Sequence, residues 1–329
     1  MVKSLVFAGT PLFAVPALER LVEAGFPVKL VVTQPDRPRG RGMELTPSPV
    51  KQSAMKLSLP VAQPDKIKTS EGFRNQLASL KPDAIIVVGY GRIIPQWMID
   101  LPRLGNLNLH ASLLPKYRGA APIQWAIACG ESVTGVTIMK IDAGLDTGDI
   151  LSQREIPIGR EDTAPTLAPK LAEIGANLLV ETLRALDAGT IKSTPQDHGC
   201  ATLAPILTKD DGRIDFNRIA SEILDRLRGF QPWPGAFTTF RSKNLQIISA
   251  KIAPPHSSEA TLRAGEIQTG GDRLLVGCGA DTILEPLEVQ VEGKKRMSVR
   301  DFVNGYRPFK GEVLGEAAAR PFPSSESSS

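Results

Sequence analysis

The sequence has few of the residues that build disulfide frameworks and metal centres. Its 329 residues include only three cysteines and three histidines, and the cysteines are far apart, without C-x-x-C spacing. An odd, scattered set of cysteines argues against a disulfide framework or a cysteine-based metal site, and it fits a reducing cytosol.

Long apolar runs are also lacking. The strongest run, residues 84–89, is far too short to span a bilayer, and the amino terminus leads into a strand without a signal or transit pattern. We expect no membrane association. The net charge of +4 is only mildly basic, so it permits an anionic partner such as nucleic acid without requiring one.

The length suits two domains, and the first part alternates strand and helix signals. Continuous apolar runs typical of buried strands recur at residues 4–8, 28–32, 84–88 and 106–110, with stretches of helical spacing between them. This pattern predicts an α/β domain with a mostly parallel sheet. Ligands of such sheets bind beyond the carboxyl ends of the strands, where His110 lies.

The second part of the chain has a different sequence pattern. Residues 190–207 show little periodicity, and beyond them short alternating runs separated by Gly and Pro predict a small antiparallel barrel or sandwich. We predict a catalytic domain over residues 1–189, a linker over 190–207, a second domain over 208–314 and a disordered tail over 315–329.

Asn108 and His110 form the densest chemical pair in the sequence. Strand alternation places them on the same side of one strand. An amide can donate a hydrogen bond to an oxyanion, and an imidazole can take or give a proton, as acyl transfer to an amine requires. The alternative is that Asn108 satisfies a loop and that His110 is a buried structural histidine.

An acidic loop provides the third group. Asp142, Asp146 and Asp149 lie between two predicted strands, and a carboxylate beside a catalytic imidazole favours its charged form and fixes its orientation. A Gly/Asp turn or a cation loop is the alternative, although the spacing does not match an EF-hand. Spacing alone does not decide which aspartate faces His110.

Four motifs together resemble the signature of the folate-dependent formyltransferases: Asn108-Leu-His110, Ser112-Leu-Leu-Pro115, Arg118-Gly-Ala-Ala-Pro122 and Asp142-Ala-Gly-Leu-Asp146-Thr-Gly. The opening Phe7-Ala-Gly-Thr-Pro11 and the segment 34–42 resemble more specifically the branch that formylates methionyl-tRNA. The resemblance extends over roughly residues 2–310.

The resemblance implies a Rossmann-like N-terminal domain followed by a C-terminal OB-like β-barrel. It selects Asn108, His110 and Asp146 as the catalytic residues, and it implies that four residues line the folate site, namely Ser112, Leu113, Leu114 and Pro115. The implied reaction moves the formyl group of 10-formyltetrahydrofolate, a cosubstrate, to methionyl initiator tRNA, giving N-formylmethionyl-tRNA for translation initiation. No metal and no tightly bound cofactor are implied, and a monomer in the bacterial cytosol is expected.

The tRNA candidates are basic residues in both domains. Arg37, Arg39 and Arg41 lie in a loop rich in Pro and Gly, which suits phosphate contacts and matches an inserted loop of the family that enters the acceptor stem. The second domain adds Lys209, Lys294, Lys295 and Arg296. Solvated surface segments are the alternative for both sets. Trp233 is expected to be a core anchor rather than a stacking site.

Three rival hypotheses remain. A sugar or glycinamide ribonucleotide formyltransferase would share the three-residue centre, but the second domain argues against the compact purine enzyme and the arginine loop against the sugar enzymes. A formyltetrahydrofolate hydrolase gives no reason for that loop. A tRNA-binding module with an inactive catalytic domain is disfavoured by the intact Asn108, His110 and Asp146.

Overall fold

The computed structural model describes residues 2–39, 44–254 and 261–315, which fall into two compact units. The first unit contains residues 1–126 and 131–206, and the second contains residues 127–130 and 207–329. The predicted tail beyond residue 315 lies outside the described residues. Within the described ranges, no helix is both long and apolar enough to cross a membrane.

A seven-stranded sheet forms the centre of the first unit. The strands of this unit, including a separate two-stranded hairpin formed by β3 and β4, are β1 Leu5–Gly9, β2 Val28–Val32, β3 Arg37–Arg39, β4 Glu44–Thr46, β5 Val61–Ala62, β6 Ala84–Val88, β7 Asn106–His110, β8 Val133–Lys140 and β9 Ile150–Pro157. The sheet order is β5-β2-β1-β6-β7-β8-β9. In this order the first five strands are parallel, β8 pairs antiparallel with β7, and β9 pairs antiparallel with β8. The predicted mostly parallel α/β sheet is confirmed.

The helices of this part of the chain are α1 Val15–Glu23, α2 Pro49–Lys56, α3 Glu71–Ser79, α4 Gln96–Ile99, α5 Pro122–Ala128 and α6 Ala164–Asp187. Local sequence sets their starts. The Ser70 hydroxyl accepts the Phe73 N–H at 3.3 Å and so begins α3. A capping box between Thr163 and Thr166 begins α6.

An antiparallel sheet packed with two helices forms the second unit, as the alternating runs predict. Its elements are α7 Ala220–Gly229, β10 Ala236–Phe240, β11 Lys243–Ile252, β12 Ile267–Gly270, β13 Arg273–Gly277, β14 Ile283–Val291, β15 Met297–Ser298 and α8 Val299–Tyr306. The strand order is β10-β11-β14-β13-β12, with β15 paired to β14. Ile223 and Leu227 of α7 and Phe302 of α8 pack into one apolar core with the sheet.

The expectation that Trp233 anchors this core is wrong. Its side chain is 56% exposed, whereas Phe230, three residues earlier, is 1% exposed. The turn closes through a hydrogen bond from the Gly235 N–H to the Phe230 carbonyl at 2.9 Å. Phe230, at the start of the turn, therefore lies in the interior, with the Arg226 guanidinium over its ring. Trp233 lies at the outer tip of the turn.

Candidate functional site

The pair Asn108 and His110 lies at the carboxyl end of β7, in the interior of the sheet. In the register, Asn108 lies between Val87 of β6 and Met139 of β8. His110 is opposite Thr137 and is only 6% exposed. The parallel strands β1 and β6 end on the same edge of the sheet. The site is thus built where ligands of parallel sheets bind.

Asp146 is the aspartate that joins the pair. Its Oδ1 lies 3.4 Å from Asn108 Nδ2, and its Oδ2 lies 3.7 Å from His110 Nδ1. Asp142 instead accepts hydrogen bonds from the Gly144 N–H and the Thr147 hydroxyl, within its own loop. The structure therefore brings Asn108, His110 and Asp146 together and leaves Asp142 in a turn role.

A glycine lets the backbone approach the Asp146 carboxylate. The Gly119 N–H donates a 2.9 Å hydrogen bond to Asp146 Oδ2. Gly119 has φ +123°, and a Cβ there would lie 2.6 Å from the Ala204 carbonyl oxygen. Only glycine fits this conformation and this approach. Asp146 itself has φ +52°, a left-handed conformation that is strained for a residue with a side chain.

A main-chain carbonyl orients the imidazole. His110 Nε2 lies 2.9 Å from the Tyr117 carbonyl oxygen, which can only accept, so Nε2 carries a hydrogen. Nδ1 is then the nitrogen that faces Asp146. Tyr117 also has a positive φ, +61°, and its N–H donates to Thr202 Oγ1 at 2.8 Å. The arrangement offers an amide donor, an imidazole with a fixed tautomer and a carboxylate.

The segment predicted to line the folate site forms a wall beside His110. The side chains of Ser112 and Leu114 are buried. The Ser112 hydroxyl donates to the Lys116 carbonyl at 2.6 Å, and the Leu114 N–H donates to Thr137 Oγ1 at 3.1 Å. Leu113 and Pro115 are half-buried and are the members with accessible surface. A folate contact by this segment stays a prediction.

Sequence reasoning missed the loops that follow the neighbouring strands. Ile93, after β6, is 91% exposed, Leu12, after β1, is 71% exposed, and Leu145 is 64% exposed beside Asp146. Exposed apolar side chains on loops at a strand-end edge offer surface to a planar ligand. The rule that ligands bind at carboxyl ends could have found Leu12 and Ile93, because β1 and β6 are clear in the sequence.

The predicted tRNA-binding residues whose side chains the structure describes are exposed. Arg37 is exposed and donates to Gln34 Oε1 at 3.0 Å. The side chain of Arg39 and the whole of Arg41 lie outside the described residues. In the second unit, Lys209, Lys294 and Lys295 are exposed. Arg296 forms an ion pair with Glu288. Their contact with tRNA stays a prediction.

Among the described residues, no three His, Cys, Asp or Glu side chains converge as metal ligands.

Comparison with known proteins agrees with this architecture. The formyl transferase family model matches residues 2–183, and the model of the formyl transferase C-terminal domain matches residues 206–307. An N-formyltransferase from Helicobacter canadensis, solved with folinic acid and dTDP-3-aminofucose, has the same fold. Its TM-score is 0.64 at 19% identity, covering 87% of this chain and 99% of that one.

Curated relatives are much closer in sequence. The methionyl-tRNA formyltransferase of Koribacter versatilis is 65% identical over 315 residues, which cover 96% of this chain and 99% of that protein. The methionyl-tRNA formyltransferase of Acidobacterium capsulatum is 59% identical over 301 residues, covering 92% and 96%. The chain therefore belongs to the formyl transferase family, among its methionyl-tRNA formyltransferases.

Proposed function

We propose that this chain transfers the formyl group of 10-formyltetrahydrofolate to the α-amino group of methionyl initiator tRNA, as a monomer in the bacterial cytosol. The observation that carries the proposal is the convergence of Asn108, His110 and Asp146 at the carboxyl end of β7. The names of the curated relatives, which match over nearly the whole chain, support the choice of acceptor.

The chemistry begins when the neutral amine attacks the formyl carbon and a new C–N bond forms. The formyl oxygen gains negative charge in the tetrahedral intermediate. Asn108 Nδ2 and protonated His110 Nδ1 are the donors placed to stabilise that oxygen, since both face the space beside Asp146. Asn108 Nδ2 is 3.4 Å from Asp146 Oδ1, a long contact that leaves the amide available to a substrate oxygen.

Collapse of the intermediate breaks the bond between the formyl carbon and folate N10, and the electron pair returns to N10. The attacking amine loses one proton and N10 gains one, so the reaction is neutral in protons. Asp146, with Oδ2 at 3.7 Å from His110 Nδ1, stabilises positive charge on the imidazole and can route a proton through water.

Hydrogen bonds link the hairpin of β3 and β4 to this edge of the sheet, which supports a role for the hairpin in tRNA recognition. Gln34, at its base, accepts from Arg37 and donates to the carbonyls of Tyr90 and Gly91 at 2.9 and 3.2 Å. Tyr90 and Gly91 follow β6, whose end borders the catalytic pair. We propose that Arg37, Arg39 and Arg41 contact the acceptor stem, and that Lys209, Lys294, Lys295 and Arg296 contact phosphates elsewhere on the tRNA.

The deciding experiment follows labelled formyl from 10-formyltetrahydrofolate to methionyl-tRNA. Uncharged tRNA and an amino-sugar nucleotide are the controls, since the first lacks the amine and the second carries an amine on a different scaffold. We expect label on methionyl-tRNA alone. Label on the sugar nucleotide but not on methionyl-tRNA would overturn the proposed acceptor.

A further inference from the structure

Gln196 is a buried amide outside the catalytic triad that uses all its hydrogen-bonding capacity. It is 6% exposed. Its Nε2 donates to the carbonyl oxygens of Asp146 at 2.9 Å and Gly148 at 2.7 Å, and its Oε1 accepts from Arg118 Nε at 3.1 Å and a terminal nitrogen at 2.6 Å. An arginine can only donate and a carbonyl can only accept, so the amide has one allowed orientation.

The amide of Gln196 holds the loop that carries Asp146, although the two residues are 50 positions apart in the sequence. Asp146 has the strained left-handed backbone, and its two carboxylate oxygens point at Asn108, His110 and the Gly119 N–H. Such a conformation persists only where the surroundings fix it. Gln196 binds the Asp146 carbonyl and that of Gly148, and so fixes the peptides on both sides of the turn.

Arg118 holds Gln196 in turn. Its guanidinium is buried, with the residue 7% exposed, and its hydrogen bonds within the described residues go to an amide and an imidazole, with no carboxylate among them. Its hydrogen bonds go to Gln196 Oε1 and, at 3.1 Å, to His198 Nδ1. A buried charge without a counter-ion is costly, so a role beyond fold stability is expected for it.

Hydrogen bonds hold the segment that carries Gln196 in place both before and after this residue. Thr194 exchanges two main-chain hydrogen bonds of 2.8 Å with Ile150, at the start of β9. Farther along, Thr202 accepts from the Tyr117 N–H, and the Ala204 N–H donates to the Arg118 carbonyl at 2.7 Å. The same stretch therefore supports Tyr117, which orients His110, and the loop that presents Asp146.

We propose that Gln196 is a positioning residue for formyl transfer, which acts by setting the backbone of Asp146 and is itself oriented by Arg118. The inference rests on the proposed function. Gln196 touches no reacting atom in this scheme; its effect reaches the substrate through the Asp146 carboxylate. Misplacing a catalytic group by about 1 Å can cost about 100-fold in rate.

The test compares Gln196→Met, which removes both functions of the amide, with Gln196→Glu, which keeps an acceptor for Arg118 but loses the donor to the two carbonyls. We expect both variants to lower kcat by about 10- to 100-fold, with the KM of each substrate changed less than about threefold. A Gln196→Glu enzyme with wild-type kcat would overturn the inference, because pairing with Arg118 alone would then suffice.

Two further measurements separate positioning from general loss of structure. Gln268, 8% exposed in the second unit, offers a matched control, and Gln268→Met should leave kcat unchanged. In a double-mutant cycle, Gln196→Met should add little to Asp146→Asn, because one acts through the other. An equal loss on both backgrounds would contradict the inference.

Failure of the proposed function is distinguishable from failure of this inference. A wild-type enzyme that does not label methionyl-tRNA counts against the proposed function. A wild-type enzyme that labels it, beside an equally active Gln196→Met variant, counts against the inference alone. A crystal structure of Gln196→Met provides a readout without turnover: we expect the Asp146 carboxylate to have moved from His110, and an unmoved carboxylate would contradict the proposal.

Discussion

The carbonyl oxygen of Tyr117 lies 2.9 Å from Nε2 of His110 and so determines which imidazole nitrogen can react. Nδ1 remains for the substrate and for Asp146, 3.7 Å away. Tyr117 and Asp146 both have positive φ values, +61° and +52°. Each such conformation costs on the order of 1–3 kcal/mol, and here the two orient an imidazole and a carboxylate toward one point.

Asp146→Asn should lower kcat by about 10²- to 10⁴-fold, because the amide keeps an acceptor for the Gly119 N–H but loses the negative charge beside His110. Steady-state formyl transfer to methionyl-tRNA measures the loss, and thermal unfolding should show an unchanged Tm. Asp142→Asn is the matched control, since its amide can still accept from Gly144 and Thr147. Equal turnover in the two variants would contradict the role of Asp146.

Two asparagines of β7 should respond differently to the same change. Asn108→Ala should lower kcat by about 10²- to 10³-fold, since it removes an oxyanion donor. Asn106 is buried and its Nδ2 donates to the carbonyls of Met98 and Ile99, both at 2.9 Å. Asn106→Ala should therefore cost about 1–3 kcal/mol in the free energy of unfolding, measured in urea, with kcat nearly unchanged. A large loss of kcat for Asn106→Ala beside a nearly unchanged kcat for Asn108→Ala would show that Asn106, and not Asn108, takes part in the reaction.

The sequence predicts the convergence of Asn108 and His110 because period-two alternation along one strand is a local property. The choice among Asp142, Asp146 and Asp149 is different. The Asp146 backbone is held by Gln196, 50 residues later, in a segment whose pattern indicated only a linker. A contact between two irregular segments leaves no periodic signal, so family resemblance, rather than spacing, selected Asp146.

The second unit shows the same limit. Two of its strands, β12 with four residues and β15 with two, are too short for a recognisable period. The sequence leaves open which aromatic residue of the 230–235 segment anchors the core. The exposure of Trp233 depends on how the 230–235 turn closes, and Phe230 occupies the core instead.

Arg41→Ala should raise the KM for methionyl-tRNA by about tenfold, equivalent to about 1.4 kcal/mol, and leave the KM for 10-formyltetrahydrofolate unchanged. The reason is the loss of the phosphate contact that we propose for Arg41. Arg20→Ala provides a control on an exposed arginine of α1 that already pairs with Glu23. Unchanged tRNA kinetics for Arg41→Ala would refute the loop assignment.

Replacement of both Lys294 and Lys295 by alanine should weaken tRNA binding and make it less sensitive to salt. Each lost phosphate contact should reduce the slope of log K against log salt concentration by about one. Arg296→Ala should have a smaller effect, since that guanidinium is paired with Glu288. Filter binding over a series of salt concentrations measures both, and an unchanged slope for the double variant would place these lysines outside the interface.

Glu285 should make the second unit sensitive to acid. Its buried carboxylate receives two hydrogen bonds from Arg273, at 3.0 and 2.6 Å, and lies 3.4 Å from Lys251. The Arg273 hydrogen bonds hold the pKa of Glu285 below its ordinary value. A carboxylate with a lowered folded-state pKa contributes stability above its unfolded pKa, about 4.3, and that contribution is lost as the pH falls through the folded-state value.

Glu285→Gln should therefore lower the free energy of unfolding at pH 7, and the gap between variant and wild type should shrink as the pH falls below about 4. Urea unfolding, followed by circular dichroism at pH 7 and at a pH below about 4, measures the difference in the free energy of unfolding between variant and wild type. Glu222→Gln is the control, because its pair with Arg218 is half-exposed and surface pairs contribute about 0–1 kcal/mol. A gap at pH 7 that persists unchanged in acid would mean that Glu285 stabilises the sheet by packing rather than by charge.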